Sequence, residues 1–188
     1  MKTNRLIKTT PKIEKGLVHI ITGKGVGKTT SAIGLGLRAV GHGLKVYMIQ
    51  FMKGEREGRK YGEIKSIKKF RNFKVAQFGS GELVSHYNPS KKDFELAKKG
   101  FDHAKEIINS SKYDVVILDE IWVAVHHKLI SLSEVISLIK KKPEHIELVL
   151  TGRYAPKEAY EYADYVSEIR KIKHPYSKGL KARVGIEY

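Results

Sequence analysis

The stretch Thr22-Gly23-Lys24-Gly25-Val26-Gly27-Lys28-Thr29-Thr30 constrains this chain more than any other. An apolar run, Leu17 to Ile21, precedes it and reads as a buried strand. The run Ser31 to Val40 follows and reads as a helix. Strand, glycine loop, Gly-Lys-Thr and helix together form the context of a phosphate-binding loop. Glycines let the backbone curl so that several N–H groups face one anion. The helix start adds its positive dipole end and more free N–H groups. Lys28 supplies an ammonium to the phosphates, and Thr29 a hydroxyl to a phosphate-bound magnesium ion. The nucleotide-binding set expected here is Thr22, Gly23, Lys24, Gly25, Val26, Gly27, Lys28, Thr29 and Thr30, joined by Arg153 from a later strand end.

The loop departs from the commonest pattern. Thr22 stands where a glycine is usual, five residues before Gly27. It also resembles the variant lysine-first loop of partition ATPases, but Lys24 is one residue too close to Lys28 for that form.

Length and composition bound the rest. A chain of 188 residues suits one domain with a sizeable core. Cysteine is absent, which excludes disulfides and thiolate metal sites. No apolar run approaches a membrane span and no signal peptide is visible, so a cytoplasmic location is expected. The net charge of +16 is spread along the chain, with basic excess in residues 1–15, 53–74 and 170–183. It reads as a lysine-rich surface that also steers a polyanionic ligand. No nucleic-acid-binding module is visible, and nucleic acid is not an expected partner.

Taken in order, residues 1–16 form an expected basic arm and residues 17–188 the domain. Gly34 and Gly36 are weak helix formers, expected to allow close helix-on-sheet packing. Gly41-His42-Gly43 ends that helix. Residues 44–51 and 73–78 read as strands, with a loop and short helix between them. A loop runs from Gly79 to Pro89, and Ser90 caps a helix. Its apolar stripe is Phe94, Ala97, Phe101, Ala104 and Ile108. Ser131-Leu132-Ser133-Glu134 is a capping box, residues 146–151 a buried strand, and Pro156 opens a helix ending near Ala163. Residues 165–169 read as a last strand before a basic, irregular tail. Strands alternating with helices predict an α/β fold around a largely parallel sheet.

Val115 to Leu118 end in Asp119 and Glu120. In a parallel sheet, an apolar strand ending in acid supplies the second ligand of a magnesium–phosphate site. Thr29, Glu120 and Asp119 are therefore the candidate metal residues. The eight histidines show no metal-ligand spacing, and no Gly-x-Ser-x-Gly elbow occurs.

The motifs together resemble one family, the ATP:corrinoid adenosyltransferases. The likeness runs from the phosphate loop through Arg38-Ala39-Val40-Gly41-His42-Gly43 and Gln50-Phe51-Met52-Lys53-Gly54. It continues through Leu118-Asp119-Glu120, Leu150-Thr151-Gly152-Arg153 and Ala163 to Glu168. It ends in Lys173-His174-Pro175-Tyr176, Gly179 and Gly185-Ile186-Glu187-Tyr188. The resemblance implies a recombinase-like nucleotide-binding fold. It also implies transfer of the 5′-deoxyadenosyl group of ATP to the cobalt of a reduced corrinoid, with release of triphosphate, in adenosylcobalamin biosynthesis or salvage. It maps magnesium ligation onto Thr29 and Glu120, and a helix arginine onto Arg38. Lys28 and Arg38 are the expected catalytic cations, stabilising the leaving triphosphate. Magnesium, ATP as co-substrate, a corrinoid substrate, a flavoprotein reductant and a homodimer complete the implied picture.

Members of the family carry a Phe and a Trp after the third strand that displace cobalt's lower ligand. Here the matching stretch, Gly79 to Val84, has no aromatic pair. Leu83 and Val84 are expected in that role, and the arm 1–16 and loop 79–89 are expected to hold the corrin. Two other classes stay open. One is an ATPase of the partition or recombinase type. The other is a nucleic-acid-associated NTPase.

Overall fold

The computed structural model describes residues 12–54, 61–81 and 89–187. Most of the expected basic arm lies outside them, as does the body of loop 79–89 with Leu83, Val84 and Tyr87.

Six strands form one all-parallel sheet: β1 (Val18–Thr22), β2 (Val46–Phe51), β3 (Phe73–Phe78), β4 (Val115–Asp119), β5 (Glu147–Thr151) and β6 (Tyr165–Glu168). Their spatial order is β3-β2-β4-β5-β1-β6. β1 and β2 are consecutive in sequence but separated by β4 and β5. Both faces of the central strands are covered, so their apolar runs are continuous rather than alternating. In β4, Val115 and Ile117 belong to the core on one face, and Val116 and Leu118 to the core on the other.

The first face is covered by α1 (Lys28–Gly41) and α2 (Gly62–Ile67), through Ala32, Ala39 and Ile67 against Met48, Phe73 and Ile117. The second is covered by α3 (Lys91–Asn109), α4 (Ile121–His126) and α5 (Leu132–Lys141). There Phe101, Ile108, Trp122 and Val135 pack with Phe51, Leu118 and Leu150. The Trp122 indole N–H donates to the Leu150 carbonyl at 3.2 Å, which locks the short α4 onto β5. Both expected caps form. Ser90 and Ser131 accept from the backbone N–H of Asp93 and Glu134, and each acid reaches back.

Three expectations need correction. Gly36 packs closely, since a Cβ there would lie 2.7 Å from the Phe73 ring, but Gly34 faces open space. Phe94 is exposed and outside the core: it lies in the first turn of α3, ahead of Ala97, where the buried face of the helix begins. The segment opened by Pro156 is a 3₁₀ helix, Lys157–Tyr162, rather than an α-helix. Glu120 follows β4, and its φ of 62° turns the chain directly into α4.

Candidate active site

Parallel strands bring the carboxyl ends of β1, β2, β4 and β5 to one edge, where open α/β sheets hold their ligands. The loop between β1 and α1 sits there. Gly27 takes φ 116° as N-cap of α1, a conformation that favours glycine. No side chain caps this helix and its first turn carries no acid. Its leading N–H groups therefore face the loop. Gly25 is required for a different reason. Its N–H donates to the Ile169 carbonyl at 2.7 Å, and a Cβ would lie 2.7 Å from the Ile169 side chain. The Ile169 N–H in turn donates to the Thr22 carbonyl at 2.8 Å. The loop is thus fastened to the chain leaving β6.

A cleft of about 680 Å³ opens over the loop. Gly25 to Thr30 and Ile33 form its base, Lys53, Tyr61, Glu63 and Ser66 one wall, Glu120 and Arg153 another, and Gly185 to Glu187 of the tail a third. Lys28 is 7 % exposed, and its ammonium donates to the Gly25 carbonyl at 2.7 Å. Burial pushes its pKa below the ordinary lysine value. Glu120 opposes that shift and Arg153 adds to it.

Beneath the loop lies a polar network centred on Asp119, which is fully buried. Its Oδ1 accepts from the hydroxyls of Thr29 at 2.9 Å and Thr151 at 2.7 Å. Its Oδ2 accepts from Gln50 Nε2 at 3.0 Å and Lys53 Nζ at 2.9 Å. Burial alone would raise this carboxyl. The Lys53 ammonium and the hydroxyl bonds overcome it and hold the pKa below the usual carboxylate range. Lys53 is raised reciprocally: the adjoining Asp119 charge outweighs the cost of burial. Glu120 differs. Among the described residues no hydrogen bond or ion pair engages its carboxylate. Burial and the neighbouring Asp119 charge raise its pKa, partly offset by Lys53, Lys28 and Arg153.

The structure gathers Gly25, Val26, Gly27, Lys28, Thr29, Thr30, Glu120 and Arg153 at the cleft. Asp119 lies one layer below, touching Thr29 rather than the cleft. Four expected residues, Thr22, Gly23, Lys24 and Arg38, do not line this cleft; Gly23 lies against Ile169, where a Cβ would sit 2.4 Å from the carbonyl oxygen. Thr22 is buried, and its hydroxyl accepts from the Ala155 N–H at 3.2 Å, tying β1 to the segment after β5. Lys24 is exposed and lines a neighbouring cavity of about 570 Å³ with Arg153, Tyr154, Lys171, His174 and Tyr176. Arg38 is exposed in the last turn of α1, ten residues beyond Lys28. At 1.5 Å per residue that is about 15 Å along the helix, too far to reach the loop within this chain.

Gln50, Thr151 and Lys53 were given no role by sequence reasoning. Gln50 and Thr151 carried a usable signal: each is a polar residue at the carboxyl end of an otherwise apolar buried strand. Among the described residues no cluster of three or more His, Asp or Glu side chains is arranged for a metal, and no helix is long and apolar enough to cross a membrane.

Similarity to known proteins points to one family. The family described as "ATP:corrinoid adenosyltransferase BtuR/CobO/CobP" matches residues 14–188. The chain is 36% identical over 184 residues to the "Corrinoid adenosyltransferase" of Sinorhizobium sp, covering 97% of this chain and 85% of that protein. It is 34% identical over 175 residues to the protein of that name from Escherichia coli (strain K12), covering 93% and 87%. The corresponding Pseudomonas aeruginosa protein is 32% identical over 176 residues, covering 93% and 85%. The ATPase alternative gains no support from these likenesses. Matched by the family model over residues 14–188 and by these relatives along most of its length, the chain belongs to the ATP:corrinoid adenosyltransferase family.

Proposed function

We propose that this protein transfers the 5′-deoxyadenosyl group of ATP to the cobalt of a reduced corrinoid and releases triphosphate. The observation that carries the reading is the family match over residues 14–188, joined to a phosphate loop whose Thr29 is oriented by a buried carboxylate. Cobalt(I) is the nucleophile. The cobalt–C5′ bond forms as the C5′–O bond breaks, and the electron pair leaves on the triphosphate. No side-chain base is needed. The protein positions C5′ in line with cobalt and stabilises the leaving anion. The start of α1, Lys28 and Arg153 line the cleft in which that anion would lie.

The donor set fits magnesium. Thr29 offers a hydroxyl oxygen, and Glu120 a carboxylate that no donor among the described residues occupies. A hard, small cation takes such oxygen ligands, with water and phosphate completing its shell. When bound, magnesium would neutralise phosphate charge. Glu120 and Thr29 would hold it, and Asp119 would fix the Thr29 hydroxyl. The corrin, on this reading, is held by the arm 1–16 and the loop 79–89. A cytoplasmic homodimer served by a flavoprotein reductant completes the proposal.

Phosphorus NMR of a reaction with ATP, magnesium and chemically reduced cobalamin tests it. Intact triphosphate is expected, appearing with the visible spectrum of the cobalt–carbon product. Orthophosphate release that is independent of corrinoid would assign the protein to the ATPases.

A further inference from the structure

Lys53 stands in an unusual relation to the hydroxyl that a metal would use. The Thr29 hydroxyl has one proton, and it goes to Asp119 Oδ1 at 2.9 Å. Its lone pairs are then presented outward, and Lys53 Nζ donates to them at 3.2 Å. The same ammonium donates to Asp119 Oδ2 at 2.9 Å. A buried ion pair needs only the carboxylate. Here the cation is also seated on an oxygen whose proton is committed elsewhere, the arrangement a metal-ligating hydroxyl adopts. Glu120, on the same side, contributes attraction to both Lys28 and Lys53 without bonding either.

The lysine is delivered by a fixed turn. Met52 takes φ 56° and its N–H donates to the Phe78 carbonyl at 2.8 Å. Gly54 then passes so near β3 that a Cβ would lie 2.1 Å from the Gly79 carbonyl oxygen. The backbone of Lys53 is thereby held, while its four-carbon side chain lines the cleft and remains 17 % exposed. Its ammonium lies 5.7 Å from the Tyr61 ring centroid, and Glu63 is on the same wall.

We propose that the Lys53 ammonium and the divalent cation are alternative occupants of one position, against the outward lone pairs of Thr29 Oγ1. On this view Lys53 is a positioning residue with two settings. In one it neutralises Asp119 and holds Thr29. In the other it yields that place to the metal and swings into the cleft, where the phosphates offer it anionic partners. The consequence is selectivity for the metal–nucleotide complex. A bare divalent ion must displace a bonded ammonium into a cleft that already carries Lys28 and Arg153. An ion arriving with a triphosphate brings the anion that receives the displaced lysine.

The inference rests on the reading that a magnesium–nucleotide complex binds this loop, and the two are tested apart. Wild-type ATP affinity is first measured by calorimetry with magnesium and with EDTA. An affinity indifferent to magnesium overturns that reading and the exchange with it. Manganese binding without nucleotide is then followed by electron paramagnetic resonance in wild type, Lys53→Met and Lys53→Arg. Removing a positive charge a few ångströms from the ion is expected to tighten bare manganese binding roughly tenfold or more in Lys53→Met. Lys53→Arg, which keeps the charge, is expected to stay near wild type. Equal or weaker manganese binding by Lys53→Met, in a protein whose ATP binding does need magnesium, overturns the exchange alone. The unsubstituted protein provides a check that needs no variant to fold. The Lys53 ¹⁵Nζ–H resonance is expected to shift when magnesium and ATP are added together, and an unmoved resonance overturns the exchange.

Discussion

Asp119 and Glu120 are adjacent acids with opposite electrostatic situations. Asp119 accepts four hydrogen bonds and pairs with Lys53, whereas Glu120 turns away in a left-handed conformation with its carboxylate uncommitted. Asp119→Asn is therefore expected to destabilise the protein by about 3 kcal/mol, because it strands the buried Lys53 charge. The pH dependence follows from the signs. A carboxyl held below its ordinary value of 3.8 contributes stability that is present above that value and lost as pH falls through the folded one. Wild type should show this acid-side loss, and Asp119→Asn should lack its share. Glu120 is raised above 4.5, so its contribution is present below that value and lost as pH rises through the folded one. Glu120→Gln should hold or raise the melting temperature at pH 7 while weakening magnesium-dependent ATP binding. Thermal melts across pH, with titration of magnesium against ATP affinity, decide the assignment. A melting temperature unchanged in Asp119→Asn and lowered in Glu120→Gln would reverse the two roles. The pair was legible as a metal-site candidate from its place after an apolar strand. The family likeness singled out Glu120, but the physical reason was not legible, because it depends on the backbone turn at Glu120 and on hydroxyls from β5 and α1.

At the level of elements, α1 carries two glycines that look alike in sequence and differ in place. Gly36 lies against Phe73 and Ile117, whereas Gly34 faces open space. Gly36→Ala should overpack the α1–sheet contact and cost about 1–3 kcal/mol. Gly34→Ala should stabilise the helix by roughly 0.5–1 kcal/mol, through higher helix propensity and lower unfolded-state entropy. Urea denaturation of both variants tests the pair, and equal effects would contradict the packing described. The start of α1 was readable from the glycines and Gly-Lys-Thr. The fastening of that start was not. Gly25 meets Ile169, 144 positions further along the chain. An isolated Ile at the end of a short strand gives no local sign that it supports a loop so far away.

Across the whole molecule, the +16 charge meets the active site as an excess of cations at the carboxyl edge. Lys24, Lys28, Lys53, Arg153 and Lys171 line the two cavities there, against Glu63, Glu120 and Glu187. Association with a polyanion should be steered by this field. Raising ionic strength from about 0.01 M to 0.15 M, which shortens the Debye length from roughly 30 to 8 Å, should slow ATP association severalfold and leave dissociation nearly unchanged. Stopped-flow binding of a fluorescent ATP analogue measures both rates, and a salt-independent association rate would show that the basic surface takes no part. The chain alone determined the phosphate loop, the alternation of strands and helices, the serine caps, and the likeness to its family. Each of these is written within a few consecutive residues, in periodicity, capping chemistry or a contiguous motif. Tertiary structure decided the strand order, and with it which polar ends meet. Placing β4 between β2 and β5 brings Gln50 and Thr151 to Asp119. Placing β6 beside β1 sets Ile169 beneath the loop. The same packing leaves Arg38 at the far end of α1 and buries Thr22 as a tie. Hydrophobic periodicity tells each strand which faces to bury but not which strand to lie beside, so these partnerships emerge only when the sheet is assembled.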